Sequence, residues 1–277
     1  SGVSSSSIMI WDVSKDGEYS QLGTLDGYSI TFNPASSGAA LGQSDDDGNA
    51  VVELLDISTW AERSRVATLE VYGPTYNPDG TTLITRRDDP EQSAYYMLLW
   101  DITNPAKPTS QTLSGHTRDI NTIAFSPDGN TMASAGLDKT IILWDISDVA
   151  KPTKRATVTG HSDWIRIVTF SADGTTLASG GDDHNVILWN LSNLGDIVQI
   201  GTLKGHTASV YDFVFSQDGK KLVSTGNDLY IVWDLDPNSW MAKACDLAGS
   251  NFTEEKWNQL FPGDPYRETC KSDTLAS

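Results

Sequence analysis

Short apolar segments alternate with polar turns along the chain. Nearly continuous apolar runs occupy residues 120–125, 165–170 and 210–215, and each is followed by a turn that contains Asp-Gly. Apolar runs of this length between turn residues are typical of β-strands. A strand that is apolar on both faces is covered on both sides of its sheet. The pattern therefore predicts an all-β fold in which neighbouring sheets pack face to face.

These segments belong to a sequence repeat. Residues 113–145, 159–190 and 203–234 are three copies of one unit, which runs from Gly-His to Trp-Asp or Trp-Asn. The Trp position recurs every 44 or 45 residues, at Trp11, Leu55, Trp100, Trp144, Trp189 and Trp233. The His position recurs at His116, His161 and His206, and stepping back by the same interval gives Tyr72 and Tyr28. Five whole repeats are therefore predicted, and the first two are degenerate.

A repeat of this length from Gly-His to Trp-Asp resembles the unit of WD-repeat proteins. The resemblance implies an all-β WD-repeat β-propeller with blades of four antiparallel strands. About five and a half blades, from a ring of seven, are expected in residues 1–236. Residues 237–277 are expected to form a helical tail that packs on the propeller.

The first residues align with the middle of a repeat. Residues 1–12 match residues 179–190 without a gap, so the chain is expected to open in the second strand of a blade. Such a start leaves a sheet edge unpaired. The remaining blades, and an effector domain, are expected upstream on a longer polypeptide or on another fragment.

The resemblance also assigns a role to the repeated His residues. In WD-repeat proteins one His, Ser, Asp and Trp of each repeat form a hydrogen-bonded set. The sets implied here are His116, Ser134, Asp138 and Trp144; His161, Ser179, Asp183 and Trp189; and His206, Ser224, Asp228 and Trp233. A His-Asp pair can orient a general base, but three copies at one spacing favour a structural role. The repeats with Tyr28 and Tyr72 are expected to lack the full set and to be locally less stable.

In the same family, the residues just after Gly-His line the mouth of the central channel. The candidate partner-binding residues are Arg118, Asp119, Trp164, Arg166, Ser209 and Tyr211. Trp164 stands where the other repeats have Asp119 and Ser209, and with Arg166 and Tyr211 it has the composition of a binding hot spot. A Trp that only covers a blade edge is the alternative.

Other candidate sites are weak. Residues 45–49 have a partial calcium-loop spacing, but Ala50 replaces the glycine that such a loop needs, so a hairpin turn is predicted. His184 has too few neighbouring ligands for a metal site. Residues 86–93 form a longer turn, expected to be a tolerated insertion or a recognition loop. The chain has no Walker loop, nucleophile elbow, HExxH or dinucleotide motif, so this segment is expected to be no enzyme and to hold no cofactor and no metal.

The charge narrows the choice of partners. The formal net charge of −18 and the pI of about 4.4 repel phosphate backbones and anionic lipid. We therefore expect a protein partner, with no nucleic acid and no membrane. The chain has no apolar run long enough to cross a bilayer, and no secretory signal is visible, which by itself says little. A cytoplasmic location is expected.

The last residues differ from the repeats. Residues 239–249 and 251–261 are predicted helices, and the second starts with a capping box of Asn251 and Glu254. This tail resembles the segment after the last blade of bacterial multidomain signalling proteins with a STAND or NACHT-type NTPase, a kinase or a protease-like effector. Cys245 and Cys270 either form a disulfide within the tail or stay reduced in the cytosol.

The function implied is a sensing or scaffolding module that recognises a protein and regulates an upstream effector domain. Two other functions stay open. One is a structural subunit of an assembly. The other is a small-molecule or enzymatic site in the propeller channel, for which the sequence offers Asp182, His184 and the turn at Asp45.

Overall fold

The computed structural model of the chain describes residues 7–13, 19–59, 62–89, 94–248 and 254–255. Six antiparallel sheets follow one another in chain order and are called blades one to six. Their strands are β1 (Ser7–Val13) and β2 (Tyr19–Asp26); β3 (Ser29–Phe32), β4 (Gly38–Ser44), β5 (Ala50–Asp56) and β6 (Ser64–Leu69); β7 (Tyr72–Tyr76), β8 (Thr82–Asp89), β9 (Ala94–Asp101) and β10 (Thr109–His116); β11 (Ile120–Phe125), β12 (Thr131–Gly136), β13 (Thr140–Asp145) and β14 (Thr153–Thr159); β15 (Ile165–Phe170), β16 (Thr176–Gly181), β17 (Asn185–Asn190) and β18 (Val198–Lys204); β19 (Val210–Phe215), β20 (Lys221–Gly226) and β21 (Tyr230–Asp234).

Blades two to five have four strands each, paired in sequence order. Among the described residues, blade one has two strands and blade six has three. This is the predicted all-β architecture, a series of propeller-like blades. In blades two to six the first strand meets the second through a tight turn, as at Asn77–Gly80, where Gly80 has a φ of 71° that a glycine adopts without strain.

The apolar core lies between blades. Ala133, Ile141 and Leu143 of blade four pack against Val168 and Trp189 of blade five. Similar clusters join the other consecutive blades. Burial of one such Ile, Val or Leu contributes about 1.5–3 kcal/mol. The continuous apolar strands thus follow from a sheet that is packed on both faces.

The first and last sheets each expose an apolar face. Trp11 of blade one is 49% exposed, whereas Trp189 at the same repeat position is 3% exposed. Tyr230 of blade six is 75% exposed, whereas its counterpart Val186 is fully buried. Both exposed faces therefore consist of positions that pack against a neighbouring blade elsewhere in the chain.

One helix, α1 (Pro237–Ala248), follows the last strand. It starts two residues before the predicted helix at 239–249, because Asp236 caps it by accepting a hydrogen bond from the Asn238 amide at 3.0 Å. Pro237 suits the first helical position because the amide it lacks has no partner there. The Trp240 indole donates to the Asp234 carbonyl at 2.7 Å, which holds the helix against the end of β21.

The rest of the predicted tail falls largely outside the described residues. Of the helix predicted at 251–261, Glu254 and Glu255 are described, and both are helical. The possible disulfide lies outside the description too, because Cys270 and the side chain of Cys245 are not part of it. No helix in the described part of the chain is long and apolar enough to cross a membrane.

Candidate functional site

Each of blades four to six contains a hydrogen-bonded chain of four side chains. In blade four, His116 Nδ1 lies 2.8 Å from Asp138, His116 Nε2 lies 2.8 Å from Ser134 Oγ, and the Trp144 indole donates to the same hydroxyl at 2.9 Å. Because an indole only donates and a carboxylate only accepts, the Ser134 hydroxyl donates to Nε2 and the Nδ1 proton points to Asp138. The hydrogen-bonding groups that join these four side chains therefore all have partners without a water molecule.

The same arrangement recurs in the next two blades. In blade five the corresponding distances are 2.9, 2.8 and 2.8 Å for His161–Asp183, His161–Ser179 and Trp189–Ser179. In blade six they are 3.0, 2.7 and 2.7 Å for His206–Asp228, His206–Ser224 and Trp233–Ser224. The three serine hydroxyls are fully buried, so each one satisfies two donors or acceptors that water cannot reach.

The aspartates of these sets also hold the backbone. The amides of Thr117 and Thr140 donate to Asp138 at 3.0 and 3.1 Å, so one carboxylate joins the loop before β11 to the hairpin between β12 and β13. Burial alone raises the pKa of Asp138, but the hydrogen bonds from His116 and Thr117 outweigh it and lower that pKa to about 2. His161 and Ser162 lower the pKa of Asp183 to about 2 in the same way, against the effect of burial.

Blades two and three have other contacts at these positions. The Tyr28 hydroxyl donates to the Gln43 carbonyl at 3.1 Å. In blade three the Trp100 indole donates to Thr85 at 2.8 Å, so the Trp–hydroxyl half of the set is kept. The guanidinium carbon of Arg86 lies 5.7 Å from the centroid of the Tyr72 ring.

The turn predicted at residues 86–93 begins later than expected. Strand β8 continues to Asp89, and Arg86 lies within it. Its guanidinium donates to the carbonyls of Ile120 and Asn121 at 2.9 Å each, which fixes blade three to the start of β11. The strand is longer because Asp88 and Asp89 continue to pair with Tyr95 and Ala94 of β9. The inter-blade contact of Arg86 is one that the repeat pattern does not reveal.

The first strands of blades four to six share a local irregularity. The register of β11 shifts between Ile120 and Thr122, and β15 and β19 shift at the same repeat position. The residues at the shift are Asn121, Arg166 and Tyr211. A bulge changes the direction of the side chain at the bulged position. The irregularity therefore places one variable side chain per blade at the start of β11, β15 and β19.

Four of the six candidate residues form a cluster there. The guanidinium carbons of Arg118 and Arg166 lie 5.9 and 5.1 Å from the centroid of the Trp164 ring. Arg166 also lies 6.0 Å from the centroid of Tyr211. Arg118 and Tyr211 are exposed and Trp164 is half-buried. We call these four residues, Arg118, Trp164, Arg166 and Tyr211, the Arg–aromatic cluster.

Arg166 is held in place by a carboxylate that the repeat does not share. Its Nε and Nη2 donate to the two oxygens of Asp182 at 2.9 and 2.6 Å. Because of this pair the pKa of Asp182 is lowered and that of Arg166 is raised, and a hydrogen bond from Ser209 also lowers the pKa of Asp182. Ser209 thus supports the cluster through Asp182. Asp119 is exposed, and no side-chain contact joins it to the cluster in the described part of the chain.

The loop that carries Trp164 is fixed by its backbone. The Asp182 amide donates to the Trp164 carbonyl at 2.9 Å, and the Lys139 ammonium donates to the Ser162 carbonyl at 2.6 Å. A Cβ at Gly181 would lie 2.0 Å from the Trp164 carbonyl oxygen, so only glycine permits this approach. Sequence reasoning missed Lys139 and Asp182 as supports of the cluster, and their only signal is that Asp182 departs from Leu137 and Asn227 at the matching repeat positions.

The weak metal candidates do not assemble into a site. Asp45 accepts from the amides of Asp47 and Asn49 at 3.0 and 2.7 Å, which makes residues 45–49 the predicted hairpin turn. His184 is exposed and adopts a φ of 63° in the turn before β17. Within the described residues, no group of three or more His, Cys, Asp or Glu side chains is placed to hold a metal ion.

Comparison with known families matches the three segments that contain these hydrogen-bonded sets. The family model of the WD domain, G-beta repeat, matches residues 107–145, 152–190 and 197–234. The chain contains three WD40 repeats. Each matched segment contains one complete His-Ser-Asp-Trp set, whereas Tyr28 and Tyr72 lie outside them. A search of curated proteins finds no match to this chain.

Proposed function

We propose that the WD40 repeats and their neighbouring blades form a non-catalytic module that binds a partner protein through the Arg–aromatic cluster. The observation that carries the proposal is the position of Trp164, whose ring has a guanidinium group near it from each of two blades. Trp, Tyr and Arg are the residues most often found at the energetic centre of protein interfaces. The WD40 repeats support this assignment, because they are typical of protein-interaction propellers.

The cluster is not needed by the repeat. The counterparts of Trp164 are Asp119 and Ser209, and the counterparts of Arg166 are Asn121 and Tyr211. The blade therefore folds with small or polar residues at these positions. A Trp that only covers a blade edge does not require the two-point ion pair between Arg166 and Asp182.

The cluster is also preorganised. Asp182 fixes the Arg166 guanidinium, and Trp164 is held by its own carbonyl, so binding costs little side-chain ordering. Arg118 has no carboxylate within ion-pair distance among the described residues, so its donors are available to a partner. These features favour recognition of a protein surface by a rigid set of anchors.

Capture of partners by matched variants tests this proposal. The repeat itself supplies tolerated replacements: Arg118→Ala as in Ala208, Trp164→Ser as in Ser209, and Tyr211→Asn as in Asn121. We expect the triple variant to keep its thermal stability and to lose at least one protein that the wild type retains from an extract of the source cells. The control is Gln217→Ala, at an exposed turn at the other end of the strands. The same set of proteins bound by wild type and triple variant contradicts the proposal.

We further propose that the exposed faces of blades one and six are covered by additional blades of the same repeat, on the same polypeptide or on a separate one. Support comes from Met9 and Trp11, and from Tyr230 and Val232, whose counterparts in blade five are buried against neighbouring blades. Exposed apolar faces of this kind mark interaction surfaces. The native mass of the protein as isolated from its source tests this proposal. A mass equal to the 30.0 kDa of this chain, with Trp11 still accessible to a fluorescence quencher, contradicts it.

The regulatory part of the proposal concerns a cytoplasmic effector domain. We propose that partner binding at the cluster is transmitted to such a domain, and that residues 237–277 pack on the propeller of residues 1–236. The likeness of residues 239–277 to the tails of bacterial signalling proteins supports the first point, and the contact between Trp240 and Asp234 supports the second. The regulatory proposal is contradicted if the triple variant, introduced into the native polypeptide, leaves the activity of the effector domain unchanged.

A further inference from the structure

A second feature lies at the opposite ends of the strands from the Arg–aromatic cluster. A cavity of about 530 Å³ opens between blades two and three. Its apolar wall is formed by Leu54 and Val66 of blade two and by Tyr76 and Ile102 of blade three. Ligand pockets for small molecules commonly measure about 300–1,000 Å³. The cavity therefore has the size and the lining of a small-molecule site.

The cavity is wide because blade two has a glycine at one position of its wall. The equivalent cavity between blades four and five is about 340 Å³ and is lined by Thr131. Thr131 pairs with Asp145 in the sheet register, and Gly38 pairs with Asp56 in the same way. Gly38 is thus the counterpart of Thr131. The missing threonine side chain enlarges the space next to Leu54 and Leu55.

The polar groups of the cavity are acidic. Asp56 and Asp79 lie at its wall, and neither Lys nor Arg is among the described residues that line it. In blade four the counterpart of Asp56 is Asp145, which forms an ion pair with Arg155. Asp56 accepts hydrogen bonds from the Ser58 amide at 2.9 Å and from the Ser37 hydroxyl at 3.3 Å, and no cation pairs with it within the described ranges. Asp56 is exposed, so its negative charge lies at the solvent-facing rim of the apolar cavity with no cation beside it among the described residues.

Tyr76 adds a hydrogen-bonding group. Its hydroxyl has no hydrogen-bond partner in the part of the chain that the structure describes, and burial raises the pKa of Tyr76 to about 12. The phenol stays protonated at neutral pH. Phe125 and Phe170 occupy the same position in blades four and five, so blade packing does not require the hydroxyl.

We propose that this cavity between blades two and three binds a small amine with an aromatic or aliphatic body. The body packs against Leu54, Val66 and Ile102, and the ammonium group lies toward the uncompensated carboxylate of Asp56. The net charge of −18 favours a cationic ligand further. A site of this kind lets a small metabolite bind at one end of the blades while a protein binds at the other.

Ligand-detected NMR with three matched probes tests the proposal. The probes are benzylamine, benzyl alcohol and phenylacetate, which share the aromatic body and differ in charge. We expect benzylamine to bind the wild-type chain with a Kd on the order of 1 mM, as suits a ligand of this size. Benzyl alcohol binds more weakly and phenylacetate weakest of all. No binding of benzylamine at tenfold higher concentration, or equal binding of phenylacetate, overturns the proposal.

Two variants taken from the repeat locate the site. Gly38→Thr copies Thr131 and fills the cavity. A Cβ at Gly38 would lie 3.2 Å from the Ser36 hydroxyl, 3.5 Å from the Asn33 Cβ and 3.8 Å from the Leu55 carbonyl oxygen, and only the first of these is closer than an ordinary van der Waals contact. Gly38→Thr should lower benzylamine affinity at least about tenfold, as expected when a side chain occupies the ligand's volume. Asp56→Asn copies Asn190, whose side chain accepts the same local amide bond at 2.9 Å. It should remove the preference for benzylamine over benzyl alcohol.

The outcomes separate the site from a folding defect. Gly38→Thr should melt at or above the wild-type temperature, since it fills a cavity. Benzylamine affinity that is unchanged in the folded Gly38→Thr chain places the binding elsewhere and overturns the proposal. If Gly38→Thr does not fold, Asp56→Asn decides: a retained preference for benzylamine in that variant overturns it equally.

Discussion

His161 and Asp183 are 22 positions apart in the sequence, yet the imidazole Nδ1 lies 2.9 Å from the carboxylate. The contact joins the loop before β15 to the turn between β16 and β17. Both side chains are almost completely buried. The pair therefore holds these two segments of the blade together, and it also positions the loop that contains Trp164.

Removal of a single buried hydroxyl should destabilise the chain. In Ser179→Ala the imidazole Nε2 of His161 and the indole of Trp189 both lose their partner. We expect the free energy of unfolding to fall by about 2–3 kcal/mol, because unsatisfied buried polar groups keep their desolvation penalty. Urea denaturation measures the change. The exposed Ser192→Ala should stay within about 0.5 kcal/mol of wild type, and a Ser179→Ala chain as stable as that control contradicts the role of the set.

Stability should fall in acid. The folded pKa values of Asp138 and Asp183, about 2, lie below the ordinary value of 3.8. A carboxyl group with a lowered folded pKa stabilises the chain above its unfolded pKa, and this stabilisation is lost as the pH falls from about 4 toward 2. Urea midpoints between pH 7 and pH 2 check the prediction. Asp183→Asn should be less stable at pH 7 and should show a shallower decline, whereas a decline parallel to wild type contradicts the assignment.

Hydrogen exchange should distinguish the complete blades from the degenerate ones. Blade two has Tyr28 instead of the His-Ser-Asp-Trp set, and the Tyr28 hydroxyl bonds only to the Gln43 carbonyl in the described structure. We expect amides of β4 and β5 to be protected about 10–100-fold less than those of β16 and β17, which corresponds to the loss of one or two buried hydrogen bonds. Equal protection in the two blades runs against this reasoning.

A methyl group at Gly181 should disturb both the fold and the Arg–aromatic cluster. The Cβ of Gly181→Ala would collide with the Trp164 carbonyl, so the loop or the strand must move. We expect a loss of about 1–3 kcal/mol, as in other overpacked sites, and a shift in Trp164 side-chain resonances. Gly201→Ala is the control, because a Cβ there meets nothing within 4 Å. Equal stability of the two variants contradicts the close approach.

Much of the fold could be predicted from the sequence because several copies of one repeat can be compared with one another. The apolar runs predict β11, β15 and β19 at their observed bounds, and the resemblance to WD-repeat proteins implies which His, Ser, Asp and Trp side chains meet. These relationships are fixed by strand register, which three copies of one pattern reveal.

What the sequence could not supply is specific to single blades. The ion pair of Arg166 and Asp182, the contact of Lys139 with the next blade, and the contact of Arg86 with β11 each depend on residues that occur in one repeat only. The cavity at Gly38 is of the same kind. Such features depend on how two neighbouring blades are aligned with each other, so the periodicity of the sequence does not predict them.

Site-specific photo-crosslinking most directly tests the claim that the Arg–aromatic cluster binds a protein. A photoreactive phenylalanine analogue replaces Tyr211, which is 44% exposed within the cluster, and in a second chain it replaces Gln217 at the opposite ends of the strands. The account predicts a discrete protein adduct from position 211 in the source cells and none from position 217. The absence of an adduct at 211, or the same adducts from both positions, contradicts it.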